Sequence, residues 1–167
     1  ALRAEDITAA HEDGGLAVLL NIEGAEGIQG SLALLRNYYR LGVRMMGLVW
    51  NHRNEVAEGV GEPESGGGLT RFGREVVREM NRLGMLIDLA HITPRGFFDV
   101  LELSEDPVLF THGNCHALHE HPRNLTDEQI KALASHGGVF GVSFVASFMG
   151  KEKASLTTVA DHIDHVC

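Results

Sequence analysis

Glu23, His91 and His112 each close an apolar run: Glu23 follows Leu16-Ala-Val-Leu-Leu-Asn-Ile22, His91 follows Met85-Leu-Ile-Asp-Leu-Ala90, and His112 follows Pro107-Val-Leu-Phe-Thr111. Neutral imidazole is a good zinc ligand, and a carboxylate can bridge two cations and lower the repulsion between them. A lone histidine after a strand is ordinarily a hydrogen-bonded core or surface residue. Three such groups at three strand ends are different, because neighbouring parallel strands would bring them to one rim, on elements rigid enough to hold a ligand set. Cys115 and Cys167 are too few and too far apart for a Cys-x-x-Cys zinc site or a disulfide framework, and both are expected as free thiols. A metal here would be held by nitrogen and oxygen.

Such a rim requires a scaffold. Strand-like runs at 16–22, 43–49, 85–90, 107–111 and 139–145 alternate with helical patterns near 30–41, 71–83, 94–104, 126–136 and 156–166, which gives five β-then-α units. Residues 1–13 read as a further helix before the first strand. The strands are nearly continuous in Val, Leu, Ile, Met and Phe, as expected when both faces of a parallel sheet are covered. Thr93 before Pro94 and the Thr126-Asp-Glu-Gln129 capping box mark helix starts, while Gly42, Gly84 and Gly137 mark helix ends directly before strands.

Two α/β architectures accept this order: an open doubly wound sheet, or a sector of a (β/α)8 TIM barrel. Glu23-Gly-Ala-Glu-Gly27 lacks the Gly-x-Gly-x-x-Gly spacing, which disfavours the dinucleotide-binding form of the first. A complete barrel typically takes about 250 residues, so on the second reading the 167 residues form a single domain that is an internal piece of a longer one. The longest irregular connection, 51–68 with Glu62-Pro-Glu-Ser-Gly-Gly-Gly68, follows a strand end and is expected as a lid on the active face.

Composition removes other classes. A net charge of −9, with 23 acidic against 14 basic residues and no basic stripe, excludes a nucleic-acid footprint. No apolar run approaches the ~20 residues of a membrane span, and Ala1-Leu-Arg-Ala-Glu-Asp6 lacks the pattern of a signal peptide, so a cytoplasmic location without membrane contact is expected. His116, His119 and His121 read as an exposed flexible loop rather than a second metal cluster, His162 and His165 as a solvated helix face, and His11 and His136 as helix-end residues. By position alone Arg123 is an exposed arginine with a surface ion pair, although a rim guanidinium could grip a carboxylate in bidentate fashion.

Leu41-Gly-Val-Arg44, Gly68-Leu-Thr-Arg-Phe-Gly73, Asn81-Arg-Leu-Gly-Met-Leu-Ile-Asp-Leu-Ala-His91, Pro107-Val-Leu-Phe-Thr-His112, Arg123-Asn124 and Ala160-Asp-His-Ile-Asp-His165 together resemble the membrane (renal) dipeptidase family of zinc hydrolases, along essentially the whole chain. The resemblance implies a metal-dependent barrel with two zinc ions that cleaves dipeptides, with the visible strands as the third to seventh of eight. It implies that Glu23 is the catalytic carboxylate bridging both metals, that His91 and His112 bind the second metal, and that Arg123 holds the substrate's terminal carboxylate. The family's His-x-Asp pair on the first strand and proton-handling Asp on the last have no counterpart here, so the piece alone is expected to be inactive. Where mammalian members place a substrate-contacting histidine after the fourth strand, this chain has Trp50, with His52 two residues on; both are candidate substrate contacts. A homodimer is possible. The rival readings are another barrel metallohydrolase, an amidase or deaminase, and a non-catalytic barrel piece serving as an association module.

Overall fold

The computed structural model describes residues 1–62, 65–150 and 154–167; Pro63 and Glu64, in the long connection, lie outside the described residues. In chain order the elements are α1 (Ala4–Glu12), β1 (Leu20–Ile22), a 3-10 turn (Ala25–Ile28), α2 (Leu32–Arg40), β2 (Val43–Gly47), α3 (Arg71–Leu83), β3 (Leu86–Asp88), α4 (Pro94–Leu103), β4 (Leu109–Gly113), α5 (Asp127–Ser135), β5 (Val139–Val142), α6 (Ala146–Met149) and α7 (Leu156–Val166). The five strands form one sheet in the order β1-β2-β3-β4-β5, every neighbouring pair parallel. A doubly wound sheet reverses its strand order at a switch point. Here the order never reverses, and α2, α3 and α4 each pack against the next helix in sequence. That is the wall of a βα barrel, with helices on one side of a curving sheet.

The helices form where the sequence places their caps. Thr70, Thr93 and Thr126 each accept the backbone N–H three residues on, Pro94 occupies the first turn of α4, and Thr126 and Gln129 close a reciprocal capping box. Helix α3 ends at Gly84, whose φ of +69° reverses the chain into β3 without the steric cost a Cβ would bring. Its apolar residues Val76, Val77 and Met80 fall on one face and are fully buried beside Met46, Ile87 and Phe97 in the core. On the same helix the buried Glu79 accepts from Arg36 of α2 at 2.6 Å and from Arg82, one turn on, at 2.6 and 2.8 Å, tying α2 to α3. Arg82 and Arg36 hold its carboxyl down at about 2.

All five strands differ from the expected runs, with 43–49 reduced to Val43–Gly47 and 85–90 to Leu86–Asp88. The run 16–22 shortens to Leu20–Ile22 because pairing with β2 begins at Leu20, and 139–145 shortens to Val139–Val142, after which the short α6, not expected from sequence, begins. The run 107–111 shifts to Leu109–Gly113, since pairing with β5 resumes at Gly113 opposite Val142; His112 is therefore inside the strand rather than after it. Among the described residues β1 and β5 each have one strand neighbour, and apolar side chains stand exposed there, Leu20 at 53% and Val139 at 60%. No helix among the described residues is long and apolar enough to cross a membrane.

The Glu79 cluster sets an acid limit on stability. A carboxyl whose pKa drops on folding from 4.5 to about 2 contributes stability that is complete above pH 4.5 and vanishes as pH falls toward 2. With Arg36 and Arg82 42% and 62% exposed, solvent screening reduces the contribution to about 1 kcal/mol. Urea denaturation is expected to show Glu79→Gln less stable than the parent by about this amount at pH 7, with the gap closing near pH 2. A gap independent of pH would remove the ion pairs as its cause.

Candidate metal centre

The three acid/base residues arrive at one rim by three local devices. Glu23 directly follows β1, and Gly24 after it has a φ of +92°. His91 stands three residues beyond β3 at a φ of +70°, a conformation rare outside glycine and one that marks a backbone held against its preference. His112 lies in an irregularity of β4, whose register against β5 shifts between Phe110 and Gly113. Such a bulge re-aims side chains that an even strand would send to opposite faces. Close approach of the two strands here depends on Gly141, where a Cβ would collide with the Thr111 carbonyl.

The result is a cluster in which one ligand atom from each of Glu23, His91 and His112 lies within 4.8 Å of the others. His91 Nε2 is 3.1 Å from Glu23 Oε1 and 3.0 Å from His112 Nε2, and His112 Nε2 is 3.3 Å from the same Glu23 oxygen. The other nitrogen of each ring is engaged on the far side. His91 Nδ1–H donates to Asn51 Oδ1 at 2.9 Å. Thr111 Oγ1 commits its single hydrogen to Asp88 Oδ2 at 2.6 Å, so at 2.8 Å from His112 Nδ1 it can only accept from that ring. Burial, reinforced by the charge of Arg123 and by His112, holds the His91 imidazole down at about 3, so it is neutral at pH 7. With their Nδ1 atoms engaged on the far side, the Nε2 atoms of His91 and His112 face each other and the Glu23 oxygen. Two imidazole nitrogens and a carboxylate oxygen held this close together are a donor set that suits a divalent metal of the zinc type.

Arg123 is half-buried rather than an exposed surface residue, which corrects the reading from position alone. Its guanidinium donates to the His112 carbonyl at 3.2 Å and lies over the Phe148 ring at 5.1 Å, while its buried Nε has no hydrogen-bond partner among the described residues. Burial lowers its pKa to about 10, opposed by the negative charge of Glu23 and Asp88, so it remains a cation at neutral pH. Trp50, half exposed, places its ring 6.1 Å from that of His91. His52 is not brought to the cluster; it is 72% exposed and pairs with Glu62 at 3.4 Å. The long connection is fixed to the rim: Val60 N–H donates to His91 O, Thr93 N–H to Glu58 O, and the Thr93 hydroxyl to Gly67 O.

Two histidine readings need correction. His162 is buried, not on a solvated face, because α7 packs it onto Cys115, whose N–H donates to His162 Nδ1 at 3.2 Å; His165 is exposed and pairs with Asp127. His116, His119 and His121 are half-buried rather than exposed, in a loop pinned where Asn124 donates to the carbonyls of His119 and Phe148; His121 stacks against His119 and Phe148. Among the described residues the Glu23, His91 and His112 group is the only one of its kind. Both cysteines are free. Asn51, Asp88, Thr111 and Phe148 were missed as contributors. Asp88 did carry a signal, as the lone charge within an apolar strand run.

A family model described as membrane dipeptidase (peptidase family M19) matches residues 1–167. The chain belongs to the membrane dipeptidase family. It is 39% identical over 175 residues to a Klebsiella pneumoniae protein described as an uncharacterized protein in the pqqA 5′ region, covering 99% of this chain and 65% of that one. To an uncharacterized dipeptidase of Schizosaccharomyces pombe it is 39% identical over 170 residues, covering 98% of this chain and 41% of the relative. The crystal structure of a metallo peptidase from Rhodobacter sphaeroides, liganded with a phosphinate mimic of the dipeptide L-Ala-D-Ala, superposes with a TM-score of 0.92 at 35% identity, covering 99% of this chain and 50% of that chain. The chain thus spans 65% or less of the length of each.

If the approach of β5 to β4 sets the aim of His112, a single methyl at Gly141 should be felt at the rim. Gly141→Ala is expected to cost about 1–3 kcal/mol in chemical denaturation through overpacking, and to shift the His112 ring resonances in NMR spectra. Unchanged stability and unchanged resonances would show that the strands have room to spare.

Proposed function

We propose that these residues form the core of a two-zinc site that hydrolyses dipeptides. The observation carrying this reading is the convergence of Glu23, His91 and His112 ligand atoms within 4.8 Å, beside a half-buried guanidinium whose Nε–H has no partner among the described residues. In this reading His91 and His112 would hold one zinc, and Glu23 would serve both it and a second. Zinc, when present, supplies Lewis acidity that lowers the pKa of water to about 7 and polarises a carbonyl.

The chain's own residues do the positioning. Glu23 turns one oxygen to both imidazoles, leaving its other oxygen for the second cation. Arg123, braced by the His112 carbonyl and the Phe148 ring, binds the substrate's terminal carboxylate through charge-assisted hydrogen bonds. Because His112 is at once metal ligand and brace for Arg123, the distance from the gripped carboxylate to the scissile carbonyl is fixed, which selects a chain of two residues over longer ones. Trp50, beside His91, offers an apolar face to a substrate side chain, and exposed His52 contacts substrate only after swinging from Glu62.

Metal binding has a built-in reporter, since the chain's one tryptophan, Trp50, stands 6.1 Å from His91. Titration with Co2+ is expected to quench its fluorescence, and His91→Ala or His112→Ala to weaken zinc binding more than about tenfold. Saturating quenching by Co2+ with affinity unaltered in both variants would place the metal elsewhere, and less than one zinc per chain would favour a scaffold without chemistry. For the terminal-carboxylate grip, Arg123→Met in the product of the complete gene is expected to lower kcat/KM for dipeptides about 100-fold or more, while sparing amides that lack a carboxylate. Equal loss on both substrate types would move the assignment toward a general amide hydrolase.

A further inference from the structure

The hydrogen-bond chain behind His112 differs from the one behind His91. His91 Nδ1 meets a neutral amide, Asn51, whereas the chain from His112 runs through Thr111 Oγ1 to a buried carboxylate, Asp88. Asp88 is held in turn: its Oδ1 accepts from the N–H groups of Ala90 and Thr111, both at 3.0 Å, leaving Oδ2 for the Thr111 hydroxyl at 2.6 Å. That carboxylate cannot donate, so the hydroxyl hydrogen must point to it and the hydroxyl lone pair to His112 Nδ1. The direction of every hydrogen in the chain is thereby fixed from the buried end outward.

We propose that Thr111, oriented by Asp88, is a positioning residue that locks His112 in the Nδ1–H form, so that its Nε2 lone pair faces the metal before any metal arrives. The functional part rests on the metal reading above. Neutral imidazole otherwise exchanges between two forms, and a hydrogen on Nε2 would point at Glu23 Oε1, 3.3 Å away, making a hydrogen bond that closes the site to a cation. The bulge in β4 allows adjacent residues Thr111 and His112 to meet at all. Ending the chain on a carboxylate also raises the basicity of the ligand nitrogen, as partners of metal-binding histidines commonly do.

The test begins with the metal-free parent chain at neutral pH, in which long-range 1H–15N spectra of the imidazoles are expected to show His112 protonated at Nδ1 and not at Nε2. Thr111→Val keeps the shape and removes the hydroxyl; it is expected to mix the two forms and weaken zinc binding about 10- to 100-fold. Thr111→Ser, which restores the hydroxyl, is expected to recover both the tautomer and the affinity. The inference is overturned by Nε2–H in the parent chain, by parent-like zinc affinity in Thr111→Val, or by a Thr111→Ser protein as weak as the valine variant. If the parent binds no zinc while His112 shows the Nδ1–H form, the metal reading fails and the tautomer lock stands.

Discussion

Convergence of two imidazole nitrogens and a carboxylate oxygen on one point is the constraint around which this molecule is arranged. Left alone, two imidazole nitrogens and a carboxylate oxygen at 3.0 to 3.3 Å would separate or share a proton. Burial of His91 makes protonation costly, and Asn51, Thr111 and Asp88 hold the rings by their far nitrogens. What remains is a cluster whose relief is a cation. The left-handed backbone at His91 and the broken register at His112 are costs of the same kind, tolerated because the surrounding sheet and loop over-determine them.

The barrel wall supplies that over-determination. Parallel strands in unbroken order place their carboxyl ends along one rim, so residues 68 and 21 positions apart in sequence meet in space. Around them the long connection is tied to His91 and Thr93 through Val60, Glu58 and Gly67, so the backbone of His91 and the cap of α4, Thr93, are both braced. Arg123 joins this framework through the carbonyl of His112, which would couple the proposed grip on a substrate carboxylate to the position of the proposed metal ligand.

Much of this was legible in the sequence, for identifiable reasons. The capped helices stood out because Thr93-Pro94 and Thr126 to Gln129 carry local chemistry that few other conformations satisfy, and α3 and α7 fell where periodicity placed them. Strand ends were less legible, since pairing is decided by the neighbour: Leu16 to Leu19 are apolar but have no partner opposite them. Glu23, His91 and His112 could be singled out by position, whereas His162 could not be recognised as buried, because its partner Cys115 is 47 residues away. The burial of Arg123 was likewise invisible to position, which shows a charge but not the Phe148 ring and His112 carbonyl beside it.

Anomalous X-ray diffraction at the zinc absorption edge, on crystals of the chain grown with zinc, tests the central claim most directly. The account predicts an anomalous peak about 2.0–2.2 Å from Nε2 of both His91 and His112 and from a Glu23 oxygen, with the Nδ1 atoms still on Asn51 and Thr111. A peak elsewhere, or an empty cluster in zinc-saturated crystals, would contradict it.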